Sequence, residues 1–170
     1  MSLAHAGLGL FVMGAAFQSG WKLEADRVLG QGQSLQLGGY HLRLDKVSYG
    51  PGPNYDAERA SLAVTDASGA LVCRAAPERR TYAVGGETIS KVALCPHGLD
   101  DIYVVVGERR AGAQGPAWLV RSYLNPWIHL VFFGPILMAL GGALSLSDRR
   151  LRIAIARRAP APLAGMAPAE

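Results

Sequence analysis

The chain has 170 residues, which is enough for one domain of ordinary size. Half of the residues are hydrophobic and 18% are charged, and this composition excludes intrinsic disorder. The net charge of +4 does not indicate nucleic-acid binding, because residues 21–126 hold 12 basic and 11 acidic side chains. Two cysteines are too few for a disulfide-rich scaffold or a four-thiolate metal site.

The first helix in chain order is predicted from an apolar, glycine-rich run over residues 3–17. A cleaved signal peptide is the alternative, but residues 1–2 carry no positive charge and no small-x-small cleavage site follows at residues 15–25. We therefore predict a retained transmembrane helix over residues 1–20. A helix that begins so close to the first residue resembles one taken from a longer bundle.

The segment that follows, residues 21–126, alternates apolar and polar residues as β-strands do. Tyr40, Leu42 and Leu44 fall on one face, and residues 60–64 repeat the pattern before a turn at residues 66–69. Further short strands are predicted at residues 71–75, 81–84, 89–94, 102–107 and 118–123. Six to eight short strands predict a small antiparallel sandwich or barrel.

The strongest membrane signal is the run over residues 127–146, which contains no acidic residue, lysine or arginine. A helix of this length measures about 30 Å, the thickness of the hydrocarbon core of a bilayer. Trp127 suits a membrane interface, and Pro135 is expected to kink the helix. Small residues offer a surface for close helix packing: Gly134, Ala139, Gly141, Gly142 and Ala143. We predict a transmembrane helix over residues 127–147, the alternative being a buried helix of a soluble protein.

Arginines set the predicted orientation. Arg149, Arg150 and Arg152 follow the second helix, and short arginine-rich flanks stay in the cytoplasm. Both termini are then cytoplasmic, and residues 21–126 form an exported β domain, periplasmic in a bacterium. Residues 148–170 are a basic cytoplasmic tail whose end is expected to be disordered. The predicted fold class is a membrane protein of α+β type, with two transmembrane helices flanking an exported all-β domain.

His5 is the first candidate site residue, because an ionisable side chain inside a membrane span is costly. A neutral imidazole that faces a bundle interior is a usual axial ligand of heme iron. A histidine near a helix end can instead reach the headgroups or bond to a neighbouring carbonyl. His129 lies near the opposite end of its own span, so a second heme ligand would come from another helix or chain.

Cys73 and Cys95 are the second candidate, because an exported segment permits oxidation and Cys73 shares the inward phase of its strand. A disulfide across about 22 residues would contribute about 3 kcal/mol on the loop-entropy model, and two separate buried thiols are the alternative. Cys95-Pro96-His97 resembles the Cys-Pro element of some heme-sensing proteins, but a turn explains it as well. His41 and His97 alone do not define a metal site, and no catalytic residue is assigned.

Several separated strings fit the pattern of one known family. They are Ala-His-Ala-Gly (4–7), Gly-Gly-Tyr (38–40), Gly-Pro-Asn-Tyr-Asp-Ala (52–57), Pro-Glu-Arg-Arg-Thr-Tyr (77–82), Asp-Ile-Tyr-Val (101–104), Trp-Leu-Val-Arg-Ser-Tyr (118–123), Asn-Pro (125–126), Met-Ala-Leu-Gly-Gly (138–142) and Ser-Asp-Arg-Arg (147–150). Their order and spacing resemble the C-terminal portion of the CcmF/NrfE family, the heme lyase membrane subunits of cytochrome c-type biogenesis. The resemblance extends over about residues 3–152.

The resemblance implies part of an inner-membrane complex that attaches heme covalently to apocytochrome c. Its implied partners are the remaining heme lyase helices or subunits, a CcmH-type thiol partner, the heme chaperone CcmE, apocytochrome c and the lipid bilayer. The family holds a heme b between two membrane histidines, of which one matches His5. The family's tryptophan-rich motif and earlier helices are not in this sequence, which resembles a C-terminal piece. The alternative is a membrane-anchored periplasmic interaction module with no heme chemistry of its own.

Overall fold

The computed structural model of the chain describes residues 2–112 and 115–147. In these residues, helix α1 (Ser2–Trp21) and helix α2 (Ile128–Ser147) stand at the two ends of a run of ten strands. The strands are β1 (Leu23–Gly30), β2 (Ser34–Leu37), β3 (Tyr40–Pro51), β4 (Tyr55–Thr65), β5 (Leu71–Ala75), β6 (Glu78–Tyr82), β7 (Thr88–Lys91), β8 (Ala93–His97), β9 (Asp100–Gly112) and β10 (Gly115–Asn125). The predicted basic tail at residues 148–170 lies outside the described residues.

The strands form two antiparallel sheets that pack face to face as a sandwich. The first sheet has the order β1-β10-β9-β8, and the second has the order β2-β3-β4-β6-β7, with β5 also paired to β4. Alternate residues of the central strands enter a common core. Leu42 of β3 and Leu62 of β4 meet Val104 of β9 and Val120 of β10 there, and all four are fully buried. Of the two predicted forms, sandwich or barrel, the structure is the sandwich.

The strand pattern differs from the sequence prediction in three places. The strand predicted at residues 81–84 is β6 at residues 78–82, and residues 83–84 belong to the turn that follows. Residues 89–94, predicted as one strand, divide between β7, which pairs with β6, and β8, which pairs with β9 in the other sheet. The apolar residues of this run do not mark the change of sheet, because all four residues of β7 are exposed, whereas Cys95 of β8 is buried. The sequence analysis did not predict β1 or β2, because β1 is mostly exposed and β2 has only four residues.

The two ends of the sandwich differ in their surroundings. At the helix end, Leu23 pairs with Leu124, directly beside the two helices. Gly38 also lies at this end, since a Cβ on it would be 3.0 Å from the Leu23 side chain. β3 begins just after Gly38, so it runs away from the helices toward Pro51. We call the opposite end, where β3 turns into β4, the open end.

The two helices pack against each other through glycines, as the run of small residues in α2 predicts. A Cβ on Gly7 would lie 2.7 Å from the Gly134 carbonyl oxygen, and a Cβ on Gly141 would lie 2.6 Å from the Ala4 nitrogen. Gly14 meets Val131 in the same way, so the helices run antiparallel. Side chains at these glycines would push the backbones apart.

Within the described residues, α2 is the one helix that is long and apolar enough to cross a membrane on length and composition. α1 has the same length of 20 residues but contains four glycines, His5 and Gln18, which make it less apolar. The length and composition of α2 therefore support a membrane span, and the span assigned to α1 stays a prediction.

Candidate functional site

The helices are attached to the sandwich by a cluster of polar and aromatic contacts. Trp127 adopts a positive φ of 56°, and its N–H donates a 3.0 Å hydrogen bond to Oδ1 of Asp100. Its ring stacks on Phe17 of α1 with centroids 5.4 Å apart. Gln18 donates a 2.8 Å hydrogen bond to Asn125 at the end of β10. These contacts fix the start of α2 against both α1 and the first sheet.

His129 belongs to this junction. Its Nε2 lies 3.4 Å from Oδ1 of Asp101, and its side chain is 29% exposed. Its backbone N–H donates to the Leu99 carbonyl at 3.5 Å. His129 therefore sits where α2 meets the sandwich, and its contacts are those of a structural residue.

His5 lies at the far end of the helix pair. Its neighbour Ala4 packs against Gly141, near the end of α2. His5 itself is exposed. The structure therefore places His5 and His129 at opposite ends of the helix pair and does not bring them together.

Cys73 and Cys95 are brought together. Cys73 is in β5 of the second sheet and Cys95 is in β8 of the first, and the structure joins their sulfur atoms in a disulfide. The Cα atoms are 6.1 Å apart, within the range for a disulfide. Cys95 is 1% exposed, so the link lies in the core. Its position makes it a covalent connection between the two sheets.

His97, the third residue of the Cys-Pro-His string, contacts Tyr40 across the helix end of the sandwich. The Tyr40 hydroxyl and His97 Nδ1 share a 2.9 Å hydrogen bond. Burial raises the pKa of Tyr40, and the charges of Asp100 and Asp66 raise it further. His41 follows Tyr40 in β3, and its side chain lies on the opposite face, so His41 and His97 do not meet. The described residues contain no group of three or more His, Cys, Asp or Glu side chains suited to a metal ion.

A buried glutamate near the open end was not found by the sequence analysis. Glu58 of β4 is 9% exposed and faces inward. Its Oε1 accepts a 2.5 Å hydrogen bond from the Trp118 indole and a 2.8 Å hydrogen bond from the Tyr49 hydroxyl. Its Oε2 lies 3.8 Å from the Arg79 guanidinium. We call these four residues the Glu58 cluster.

Three residues of the Glu58 cluster, Tyr49, Glu58 and Arg79, line a cavity of about 440 Å³ at the open end. Tyr49, Gly50 and Pro51 of β3 form one wall, and Asp56 and Thr81 continue the lining. Tyr49 is 63% exposed, but its hydroxyl end is packed against Glu58. Desolvation there raises the pKa of Tyr49, and the hydrogen bond to Glu58 raises it further.

A second charged network lies on the outward face of the same strands. Glu78 accepts a 2.6 Å hydrogen bond from Arg59 and a 2.8 Å hydrogen bond from Arg80. The hydrogen bond from Arg59 has the largest effect and the one from Arg80 the next largest, and together they hold the pKa of Glu78 below its ordinary value, although burial opposes the shift. Arg80 also lies 4.4 Å from the Tyr55 ring, and Tyr55 packs on Tyr82. The Glu78 side chain is 8% exposed, so this network buries a charge with two partners.

Both networks take residues from the string at 77–82, which the sequence analysis quoted without a role. Residues 55–59 of β4 pair in register with residues 78–82 of β6, with Glu58 opposite Arg79 and Arg59 opposite Glu78. The signal available in the sequence was the charged Glu-Arg-Arg run at 78–80 within an otherwise alternating strand. Which face each charge takes depends on pairing, which the sequence does not show.

The fold is a two-sheet β-sandwich with one helix before it and one helix after it in the chain. A family model described as the CcmF C-terminal β-sandwich matches residues 20–126. The chain is 32% identical over 158 residues to the cytochrome c-type biogenesis protein CcmF of Pseudomonas aeruginosa, which covers 93% of this chain and 23% of that protein. It is 36% identical over 159 residues to the cytochrome c-type biogenesis protein ccl1 of Rhodobacter capsulatus, covering 93% of this chain and 24% of that protein.

A solved structure of a cytochrome c heme lyase CcmF has the same fold, with a TM-score of 0.64 and 18% identity over 86% of this chain and 24% of that one. The chain belongs to the CcmF family. It spans about a quarter of the length of the curated relatives that it matches.

Proposed function

We propose that the chain is the C-terminal part of a membrane heme lyase complex of cytochrome c maturation, which attaches heme covalently to apocytochrome c. The observation that carries this proposal is the match of residues 20–126 to the CcmF C-terminal β-sandwich, with one helix before that domain and one after it in the chain. The chain contributes to the activity as one part of a larger complex and has no catalytic residue of its own assigned.

The proposed arrangement in the membrane follows the helices. Residues 1–20 and 127–147 span the bacterial inner membrane side by side, and their glycine contacts support such a pair. Residues 21–126 lie in the periplasm, and both termini, including the basic tail at residues 148–170, lie in the cytoplasm. The exposed faces of α2, which include Phe132, Phe133, Leu140 and Leu144, would contact lipid or further helices of the complex.

The proposed cofactor is a heme b in a site shared with other parts of the complex. A bound heme would supply redox-active iron, which imidazole nitrogens can hold. His5 carries an exposed imidazole near the start of α1 and would hold the iron. The second ligand would come from another helix or chain, because His129 lies at the other end of the helix pair and contacts Asp101.

The proposed partners are the remaining heme lyase helices or subunits, a CcmH-type thiol partner, the heme chaperone CcmE and apocytochrome c. An interaction module without heme is the second candidate. The observation that favours it is the position of the histidines, since the described residues bring no two of them together as a ligand pair.

The experiment that separates the two is a heme spectrum of the purified complex. The wild-type complex should show a low-spin heme b spectrum that His5→Ala abolishes. His41→Ala, which changes an exposed histidine on the sandwich, should leave the spectrum unchanged. A colourless wild-type complex would support the interaction module, and a spectrum unaffected by His5→Ala would remove His5 as a ligand.

A further inference from the structure

β3 has a free edge over its second half. β2 pairs with β3 from Ser34↔Arg43 to Leu37↔Tyr40. A bulge follows between Leu44 and Lys46, and from Lys46 to Pro51 the described residues pair β3 with β4 on one side and with nothing on the other. We call residues 46–51 the β3 edge. Backbone groups on such an edge can pair with an added strand.

The hairpin geometry shows which backbone groups point outward. The Gly52 N–H donates a 2.6 Å hydrogen bond to the Tyr55 carbonyl, which closes the β3–β4 turn. Ladder bonds of an antiparallel pair alternate along the strand, so Gly50 and Ser48 direct their groups toward β4. Val47 and Tyr49 therefore point their N–H and C=O groups away from β4, toward solvent.

The cavity of the Glu58 cluster opens beside this edge. Its wall includes Tyr49 and Pro51 of the edge itself, followed by Asp56 and Glu58 of β4. Oε1 of Glu58 already accepts two hydrogen bonds, but the nearest cation to Oε2 among the described residues is Arg79 at 3.8 Å. Two carboxylates therefore line the cavity beside one guanidinium, which favours a ligand that donates hydrogen bonds and carries positive charge.

We propose that the β3 edge binds an extended segment of a partner polypeptide as an added strand, with a lysine side chain of that segment in the cavity. The backbone of the segment would pair with Val47 and Tyr49, and the lysine stem would pass along the exposed Tyr49 ring. The bulge at one end and Pro51 at the other limit the added strand to a few residues. The inference rests on the proposed function only in placing the partner outside the cytoplasm.

The direct test is a binding titration on the full 170-residue chain in lipid nanodiscs. The probe is a fluorescent blocked peptide, Thr-Val-Lys-Val-Thr, followed by anisotropy. Two control peptides have glutamate in place of lysine or a methyl group on every backbone amide. Each control peptide should bind at least about tenfold more weakly than the lysine peptide. The glutamate peptide loses charge complementarity, and the methylated peptide loses the backbone hydrogen bonds.

Variants of the protein locate the site. Tyr49→Pro removes an outward N–H together with the ring and should weaken binding about tenfold or more. Tyr49→Ala keeps that N–H and loses the ring contact alone, so it should weaken binding less than Tyr49→Pro does. If Tyr49→Pro does not fold, the comparison of the methylated and unmethylated peptides on the wild-type chain still tests strand addition. Asp56→Asn should weaken the lysine peptide and not the glutamate peptide.

Equal binding of the methylated and unmethylated peptides would overturn strand addition, and so would no binding at about 1 mM peptide. Self-association that Tyr49→Pro abolishes, without peptide binding, would assign the edge to a second copy of the chain and also overturn the proposal. None of these results changes the heme spectrum of the complex, so failure here is distinct from failure of the proposed function.

Discussion

The indole nitrogen of Trp118 donates a 2.5 Å hydrogen bond to Oε1 of Glu58 and so connects the two sheets through a buried carboxylate. Trp118 is 2% exposed and Glu58 is 9% exposed. A buried carboxylate is costly unless donors reach it, so this bond offsets part of the cost of placing Glu58 between the sheets. Trp118 therefore has a polar role in addition to filling the core.

Removal of this donor tests that role. Trp118→Phe should lower the free energy of unfolding by about 2–4 kcal/mol, because it shrinks a buried ring and leaves Glu58 with fewer donors. Tyr49→Phe, at the exposed second donor, should cost about 1 kcal/mol or less. Circular dichroism during denaturant unfolding measures both. In a cycle with Glu58→Gln, the two changes should be non-additive by about 1 kcal/mol or more. Glutamine keeps an oxygen that can accept from the indole, so simple additivity would show that the charge of Glu58 adds nothing to the bond.

The disulfide between Cys73 and Cys95 predicts a redox-dependent stability. Cys73→Ser should destabilise the sandwich by about 3 kcal/mol, since the bridge closes a loop with a sequence separation of 22. Cys95→Ser and the double variant should behave like Cys73→Ser, because each loses the same bond. Thermal melts with and without dithiothreitol measure the effect. Without dithiothreitol, Cys73 and Cys95 of the unfolded wild-type chain should not react with an alkylating reagent, because both sulfur atoms are in the disulfide. A double variant clearly less stable than either single one would point to two separate buried thiols.

The alternation in residues 40–44 and 60–64 predicts the core-facing side chains, since Leu42, Leu44 and residues 60, 62 and 64 are all fully buried. The sequence does not predict the change of sheet between β7 and β8, because all four residues of β7 are exposed and no burial pattern marks where that strand ends. It also does not predict the position of Glu58, because a charged residue in a strand normally indicates the solvent face. Pairing with Arg79 and contact with Trp118 place it inside, and these contacts join residues up to 60 positions apart.

The glycine contacts between the helices predict a position-specific effect of added methyl groups. Gly7→Ala should destabilise the helix pair by about 1–3 kcal/mol, because its Cβ would lie 2.7 Å from the Gly134 carbonyl oxygen and the Met138 nitrogen. Gly9→Ala is the matched control on the same helix, since nothing lies within 4 Å of its Cβ position. Heat-induced unfolding in detergent, followed by circular dichroism, compares the two. Equal melting temperatures would show that α1 and α2 do not pack through these glycines.

The Glu78 network predicts how stability changes in acid. The pKa of Glu78 lies below its ordinary value of 4.5, chiefly because Arg59 and then Arg80 donate hydrogen bonds to the charged carboxylate. A carboxyl with a lowered pKa contributes stability that is complete above its unfolded pKa and is lost as pH falls through the folded pKa. Glu78→Gln should therefore cost about 1–3 kcal/mol near neutral pH.

That cost should shrink as pH falls below 4.5, because protonation then removes the same charge from the wild-type side chain. Thermal melts at a series of pH values measure the difference between the wild-type and Glu78→Gln proteins. Glu87→Gln, at an exposed glutamate in the same part of the second sheet, should match the wild type throughout. A difference for Glu78→Gln that stays constant down to about pH 3 would mean that it reflects packing of the side chain and not the charge of the carboxylate.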